Sequence, residues 1–176
     1  MSFTLPLDRV EPRDRDRVGG KGYALARMAR QGLPVPDALL VTVYAYRQYL
    51  RHTGIGEAVA LEINRKIAGE MRWEEMWDAA LRIRNLFLRT PLPGSLRDEL
   101  ARAIDARFRG AAVVVRSSAP GEDSAKASFA GLHESFVNVR GTESILDHIR
   151  LVWASLWSDA ALLYRKELGL DVATST

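Results

Sequence analysis

Three short segments carry residue types that can handle a phosphate. The first is Val18-Gly19-Gly20-Lys21-Gly22. Consecutive glycines let backbone N–H groups converge on an anion, and a helix starting just beyond adds the partial positive charge of its N-terminus. Lys21 within such a turn reaches a phosphate oxygen as a point charge. Gly22 follows the lysine, so this is not a G-x-x-x-x-G-K-[ST] phosphate loop, and a flexible turn with a solvated lysine is the plainer alternative. The second segment is Val113-Val114-Val115-Arg116-Ser117-Ser118, an apolar run ending on a guanidinium and two hydroxyls. Ligands of helix-covered sheets bind beyond the carboxyl ends of strands, where an arginine offers a phosphate a fixed fork. An Arg116 paired with Glu122 or Asp123 is the competing structural reading. The third segment, Ala127–Phe136 (ASFAGLHESF), has small residues around Gly131 that permit close backbone approach, and Ser135 supplies a hydroxyl. A hinged lid over phosphates has this character; so does an ordinary β-turn.

The frame for these segments is a chain of 176 residues with 25 Lys+Arg against 22 Asp+Glu, a net charge of +3. That length can bury a real core, and 47% apolar with 27% charged residues is globular composition. The cations are lopsided. Arginine supplies 21 and lysine only four, at 21, 66, 126 and 166, which makes Lys21 conspicuous. Although the pI is near 9.4, three net charges make a weak field, and Arg alternates with acidic residues rather than forming a basic block with interleaved aromatics. Nucleic acid is therefore not the expected partner. The absence of cysteine removes disulfides, thiolate metal sites and cysteine catalysis. No apolar run approaches the length of a membrane span, and the opening MSFTLPLDRVEPRDRDR is charged where a secretory leader needs apolar residues. The expectation is a soluble, cytoplasmic protein with no membrane partner.

The elements that must position the segments are mostly helical. Glu11–Arg17, with alternating charges, reads as a solvated loop; Tyr23–Gln31 reads as a helix ended by Gly32 and stopped by Pro34 and Pro36. Ala38–Val43 has the composition of a buried strand, Tyr44–His52 of a helix, and residues 57–70 of an amphipathic one through Val59, Ile63 and Ile67. Trp77, Leu81, Arg84 and Leu88 mark one stripe of the next helix and Met76, Ile83 and Phe87 widen it, which predicts a well-covered helix. Ser95 three before Asp98 has capping-box spacing ahead of Leu96, Leu100, Ile104 and Phe108. Ala111–Val115 is a continuous apolar run, the pattern of a strand buried on both faces. Residues 117–134 form a long loop, of a length that compact domains reserve for function. Ser135–Val139 reads as the strand leaving it, 145–156 as a helix, and Ser158 opens another that Gly169 closes.

Taken in order, V-G-G-K-G at 18–22, Q-G-L-P-V-P at 31–36, V-V-V-R-S-S-A at 113–119 with Glu122-Asp123, and A-S-F-A-G at 127–131 form a specific series. Phe136-Val137-Asn138-Val139 and Trp153-Ala154-Ser155-Leu156-Trp157 complete it. The series resembles the N-terminal nucleotide-binding region of the phosphoenolpyruvate synthase / pyruvate phosphate dikinase family, which includes rifampin phosphotransferase. The likeness runs from about residue 17 to 169. It implies an α+β fold, the first lobe of an ATP-grasp-like domain, helix-rich around a small mixed sheet and occupying residues 1–176. It also implies that Lys21 and Arg116 bind the phosphates of ATP, that the loop around Gly131 lies over them, and that Ser135 stands where the family often has Thr. In that family the β-phosphoryl group of Mg-ATP passes to a histidine on a separate domain, which then serves a substrate domain.

Leu132-His133 departs from the more polar, Gln-like residues usual in the family. His133 is not the expected phosphoryl acceptor, which the resemblance places in another domain. The second lobe, with the adenine pocket and the acidic ligands for Mg²⁺, is expected beyond residue 176, making this chain a catalytically incomplete part with no metal site of its own. A stand-alone, non-catalytic nucleotide-binding or regulatory module is the alternative. A serine-hydrolase reading of Ser117 or Ser118 with His133 lacks the G-x-S-x-G elbow. His52 and His148 read as solvated or structural. The four tryptophans, two pairs spaced i,i+4, read as packing residues rather than ligand platforms.

Overall fold

A computed structural model of the chain describes residues 2–65, 72–119, 123–124, 127–128 and 134–167. Its described residues form seven α-helices and six short strands, an α+β arrangement. The small mixed sheet expected from the resemblance is not what these strands build. They form three separate two-stranded antiparallel sheets. The first pairs β1 (Thr4–Pro6) with β2 (Leu39–Val41), and it is short because Pro6 lacks a backbone donor and Thr42 already caps the next helix. Both strands are half-buried rather than enclosed. The second sheet, β3 (Val113–Arg116) with β6 (Ser135–Val139), carries the site. The third pairs β4 (Asp123–Ser124) with β5 (Ala127–Ser128) inside the segment that reads as a loop.

Helix α1 spans Arg15–Arg30 but is bent at Gly19, whose φ of 74° and ψ of 170° lie outside helical space. It stops as its sequence predicts. Gly32 turns to φ 76°, its N–H donating to the carbonyl of Ala29 and that of Leu33 to Met28. The charged 11–17 stretch, by contrast, is not a solvated loop. Pro12–Asp14 is a 3₁₀ turn, and Asp14 is buried beneath it, accepting from the N–H of Glu11 at 3.0 Å and from Arg17 Nη1 at 2.5 Å. An alternating charge pattern hides such a burial because the acid is satisfied locally.

The remaining helices are α2 (Val43–Thr53), α3 (Ile55–Ile63), α4 (Trp73–Arg89), α5 (Gly94–Phe108), α6 (Thr142–Ser155) and α7 (Asp159–Glu167). Gly54, at φ 72°, ends α2 and starts α3. The principal core is made by Tyr49, Ile83, Phe87, Leu96 and Leu100 with Trp153 and Trp157, while Leu7, Val10, Val18 and Ala26 form a second cluster under α1. Burying these side chains is the main favourable term for the fold. Val113, Val115 and Phe136 pack against the principal core, so α6 and the core below hold one face of the β3–β6 sheet.

Three further expectations need correction. The stripe Trp77, Leu81, Leu88 is exposed, Trp77 at 49%, and Trp73 is 59% exposed, while Met76, Ile83 and Phe87 face inward with Ala79 and Ala80. Two apolar stripes on one helix do not tell which is covered. Ser95 does not cap α5; Pro93 occupies that place and no side chain caps it. The 111–115 run is not buried on both faces either. The strand starts at Val113, and Val114 is 56% exposed, because β6 is its one described neighbour and a single layer covers it. Ser158 does open α7, its Oγ accepting from the N–H of Ala161 at 3.2 Å; Gly169 lies outside the described residues.

Candidate functional site

Alternation along β3 sends Val113 and Val115 to the core and Val114 and Arg116 to the open face. In the ladder Arg116 stands directly opposite Ser135 and Val115 opposite Phe136. A register shift between Val113 and Val115, with Asn138 at φ 56°, kinks the far end of the ladder, as β-bulges do beside sites. Cross-strand partners project to the same side. The open face therefore carries Val114, Arg116, Ser135 and Val137, the last 74% exposed: a guanidinium and a hydroxyl side by side next to two apolar side chains. Among the described residues Arg116 has no ion pair. Glu122, one of its two sequence-level partners, lies outside them.

The lower end of β6 is anchored from behind. Glu134 donates its N–H to Ser155 Oγ at 3.2 Å, and its Oε1 accepts from Arg84 Nη1 at 2.7 Å. Its second carboxylate oxygen is buried with no partner among the described residues. Ser155, itself buried, donates on to the carbonyl of Val152, so the residue just before the strand is tied to α4 and α6.

The glycine-rich turn reaches this sheet from the other end of the sequence. Ser118 Oγ accepts from the N–H of Gly22 at 2.8 Å and donates to the carbonyl of Val18 at 2.6 Å. The N–H of Gly20 meets the carbonyl of Ala119 at 3.5 Å. The glycines are there for this approach. A Cβ on Gly19 would sit 1.8 Å from the Ser118 carbonyl oxygen, and one on Gly22 would sit 3.2 Å from Ser118 Oγ and from a Leu40 methyl. The turn is thus not the free cradle of N–H groups that its composition predicts, since two of those donors face the exit of β3. What it presents is Lys21, half-buried in the first turn after the bend, held beside the strand end that carries Arg116.

The structure so brings together three of the four residues singled out by sequence: Arg116 and Ser135 as ladder partners, and Lys21 through Ser118. Gly131, and with it the lid reading, lies outside the described residues, as do Phe129 and His133. His52 and His148 sit with Nδ1 against the carbonyl one helical turn back, at 2.9 and 2.7 Å, and His148 packs edge-on against Phe136. Trp153 and Trp157 are core residues, Trp157 donating from Nε1 to the Tyr46 hydroxyl. Among the described residues no group of three or more His, Asp or Glu could hold a metal ion, and no described helix is long and apolar enough to cross a membrane. Sequence reasoning named Ser118 but missed its link to the glycine turn, and it missed the Arg84–Glu134 anchor. A hydroxyl just past a strand end was the one signal for the first.

This geometry meets an independent observation. A family model described as the pyruvate phosphate dikinase AMP/ATP-binding domain matches residues 15–176. The chain belongs to this family. Its match contains the turn at 18–22, β3, β6 and the segment between them. Among curated relatives, the phosphoenolpyruvate synthase of Aeropyrum pernix is 38% identical over 97% of this chain, which spans 21% of that relative. The rifampicin phosphotransferase of a Streptomyces species is 34% identical over 98% of the chain and 20% of its own length. A probable phosphoenolpyruvate synthase of Methanocaldococcus jannaschii is 33% identical over 97% and 15% respectively. The chain thus spans about a fifth of the length of the curated relatives it matches. Its place among dikinase-type ATP-binding domains agrees with the resemblance carried by its motifs.

Proposed function

We propose that the chain is an ATP-binding lobe of a phosphotransferase of this family, with an ATP-grasp-like division of labour in which a second lobe closes over the nucleotide. The observation that carries this reading is the ladder pairing of Arg116 with Ser135 on an open sheet face, beside the turn that holds Lys21. Arg116 grips phosphate oxygens with its fork, Lys21 neutralises them as a point charge, and Ser135 donates its hydroxyl. In this reading the loop around Gly131 donates backbone N–H groups to the phosphates. Phosphoryl transfer asks chiefly for positioning and charge neutralisation, which these groups supply. In this reading the magnesium that accompanies ATP takes its acidic ligands from the second lobe.

The acceptor in this reading is a histidine on another domain of the parent enzyme, which then passes the phosphoryl group to a substrate domain. The chain by itself binds nucleotide and completes no turnover. Calorimetric titration tests this: ATP binds more tightly than AMP, and Lys21→Ala or Arg116→Ala each weakens ATP by about 10-fold or more, as loss of a charged phosphate contact should. Equal affinity for ATP and AMP, or ATP affinity unchanged in both variants, overturns the assignment.

A further inference from the structure

We propose that Ser118 is a positioning residue: its hydroxyl sets where Lys21 stands relative to Arg116. This rests on the nucleotide-site reading above and adds a residue that touches no phosphate itself. The geometry is specific. One oxygen accepts from the N–H of Gly22 and donates to the carbonyl of Val18, so a single atom fastens both ends of the turn that contains Lys21. Gly19 bends the chain at φ 74° within that span, and its lack of a side chain lets the Ser118 backbone lie against it. Lys21 follows as the second residue after the bend. On the other side, Ser117 is buried and Arg116 ends the strand, so Ser118 is two residues from the guanidinium and one hydrogen bond from the residue after the lysine.

A hydroxyl suits this fastening at that distance. Donor and acceptor must reside on one small atom, a requirement that alanine cannot meet and threonine can. With both functions engaged, the Ser118 oxygen is a structural link and not a nucleophile, which removes the hydrolase reading of this serine. Without it the Gly22 N–H and Val18 carbonyl lose their partner in a part-buried setting. The two cations then keep their identities but lose their fixed separation, and a phosphate chain is sensitive to such a loss.

The test uses the whole chain and two readouts. Reductive ¹³C-methylation of the four lysines gives one resolvable signal each. Ser118→Ala shifts the Lys21 signal and leaves those of Lys66, Lys126 and Lys166 in place, and Ser118→Thr restores it. Titration with ATP and AMP supplies the second readout. Ser118→Ala weakens ATP by about 10-fold and AMP by far less, Ser118→Thr recovers most of this, and in a Lys21→Ala background Ser118→Ala has no further effect. Should Ser118→Ala unfold, Ser118→Cys carries the same comparison through its weaker donor and acceptor. An unmoved Lys21 signal, or ATP losses that multiply independently in the double variant, overturns the positioning role. A shifted Lys21 signal in a chain without preference for ATP over AMP supports the positioning role and overturns the nucleotide-site reading instead.

Discussion

Arg116 and Ser135 face each other across the β3–β6 ladder, although the whole 117–134 segment runs between them. Ladder pairing is a strong form of proximity because backbone hydrogen bonds on both strands fix it, and neither side chain need be ordered to maintain it. A cation and a hydroxyl are thereby set on one open face, while Val113, Val115 and Phe136 hold the opposite face to the core. Disturbing the sheet from below should therefore disturb both groups together.

The apposition of the glycine turn to the strand exit predicts unequal effects at two glycines of similar φ. Gly19 and Gly32 lie at 74° and 76°, but a Cβ on Gly32 meets nothing within 4 Å whereas one on Gly19 would overlap the Ser118 backbone. Gly32→Ala should lose only the backbone preference, about 1 kcal/mol. Gly19→Ala should lose more, because ψ 170° puts it in a region open essentially to glycine alone and its Cβ adds a further ~1–3 kcal/mol for forced displacement of packed backbone. Urea unfolding of both variants measures the difference; equal losses contradict the close approach.

Asp14 predicts an acid-sensitive element beneath α1. Its carboxyl is held below the ordinary 3.8, first by the Glu11 backbone N–H and then by the Arg17 guanidinium, with burial opposing both. A depressed folded pKa stabilises the fold at pH values above the unfolded pKa, and that contribution is lost as the pH falls from about 3.8 through the lower folded value. Asp14→Asn should destabilise by about 1–3 kcal/mol at pH 7. Denaturation midpoints of wild type and variant should converge below pH 3.8; a gap that persists unchanged there contradicts the prediction.

These two residues also show what could be read in advance. The end of α1 at Gly32, the strand 135–139 and the helix opened by Ser158 were legible because their signals are local: a turn glycine, a short run rich in Phe and Val, a capping serine. The burial of Asp14 and the clasp of Ser118 on Gly22 were not. The first hides in a surface-like charge pattern, and the second joins residues 96 apart, beyond the reach of any periodicity. The open face of β3 was missed for a related reason. Three valines in a row announce a strand and say nothing of how many neighbours it has. The three candidates at 21, 116 and 135 were legible as types; that 116 and 135 pair, and that the turn at 18–22 meets the same strand end, needed the fold.

Tyr49 predicts sensitivity at the opposite end of the pH scale. Its ring is fully buried, its hydroxyl donates to the Thr90 carbonyl at 2.9 Å, and burial pushes its pKa from 10.0 up to about 12, with nearby Arg150 opposing. Arg150 Nη1 donates to the same carbonyl. A raised folded pKa here favours the protonated phenol, so its contribution is intact below pH 10 and is lost as the pH rises from 10 towards 12. The loss amounts to about 2–3 kcal/mol. Tyr49→Phe should remove that part of the alkaline decline; a variant that declines as steeply as wild type between pH 10 and 12 contradicts it.

The central claim is where nucleotide phosphates sit, and backbone amide shifts on titration with ATP test it most directly. The account predicts saturable shifts at Lys21, at Arg116–Ala119 and at Ser135–Val137, much smaller ones with AMP, and their disappearance in Arg116→Ala. Shifts confined to other parts of the chain, or equal for ATP and AMP at these residues, would contradict it.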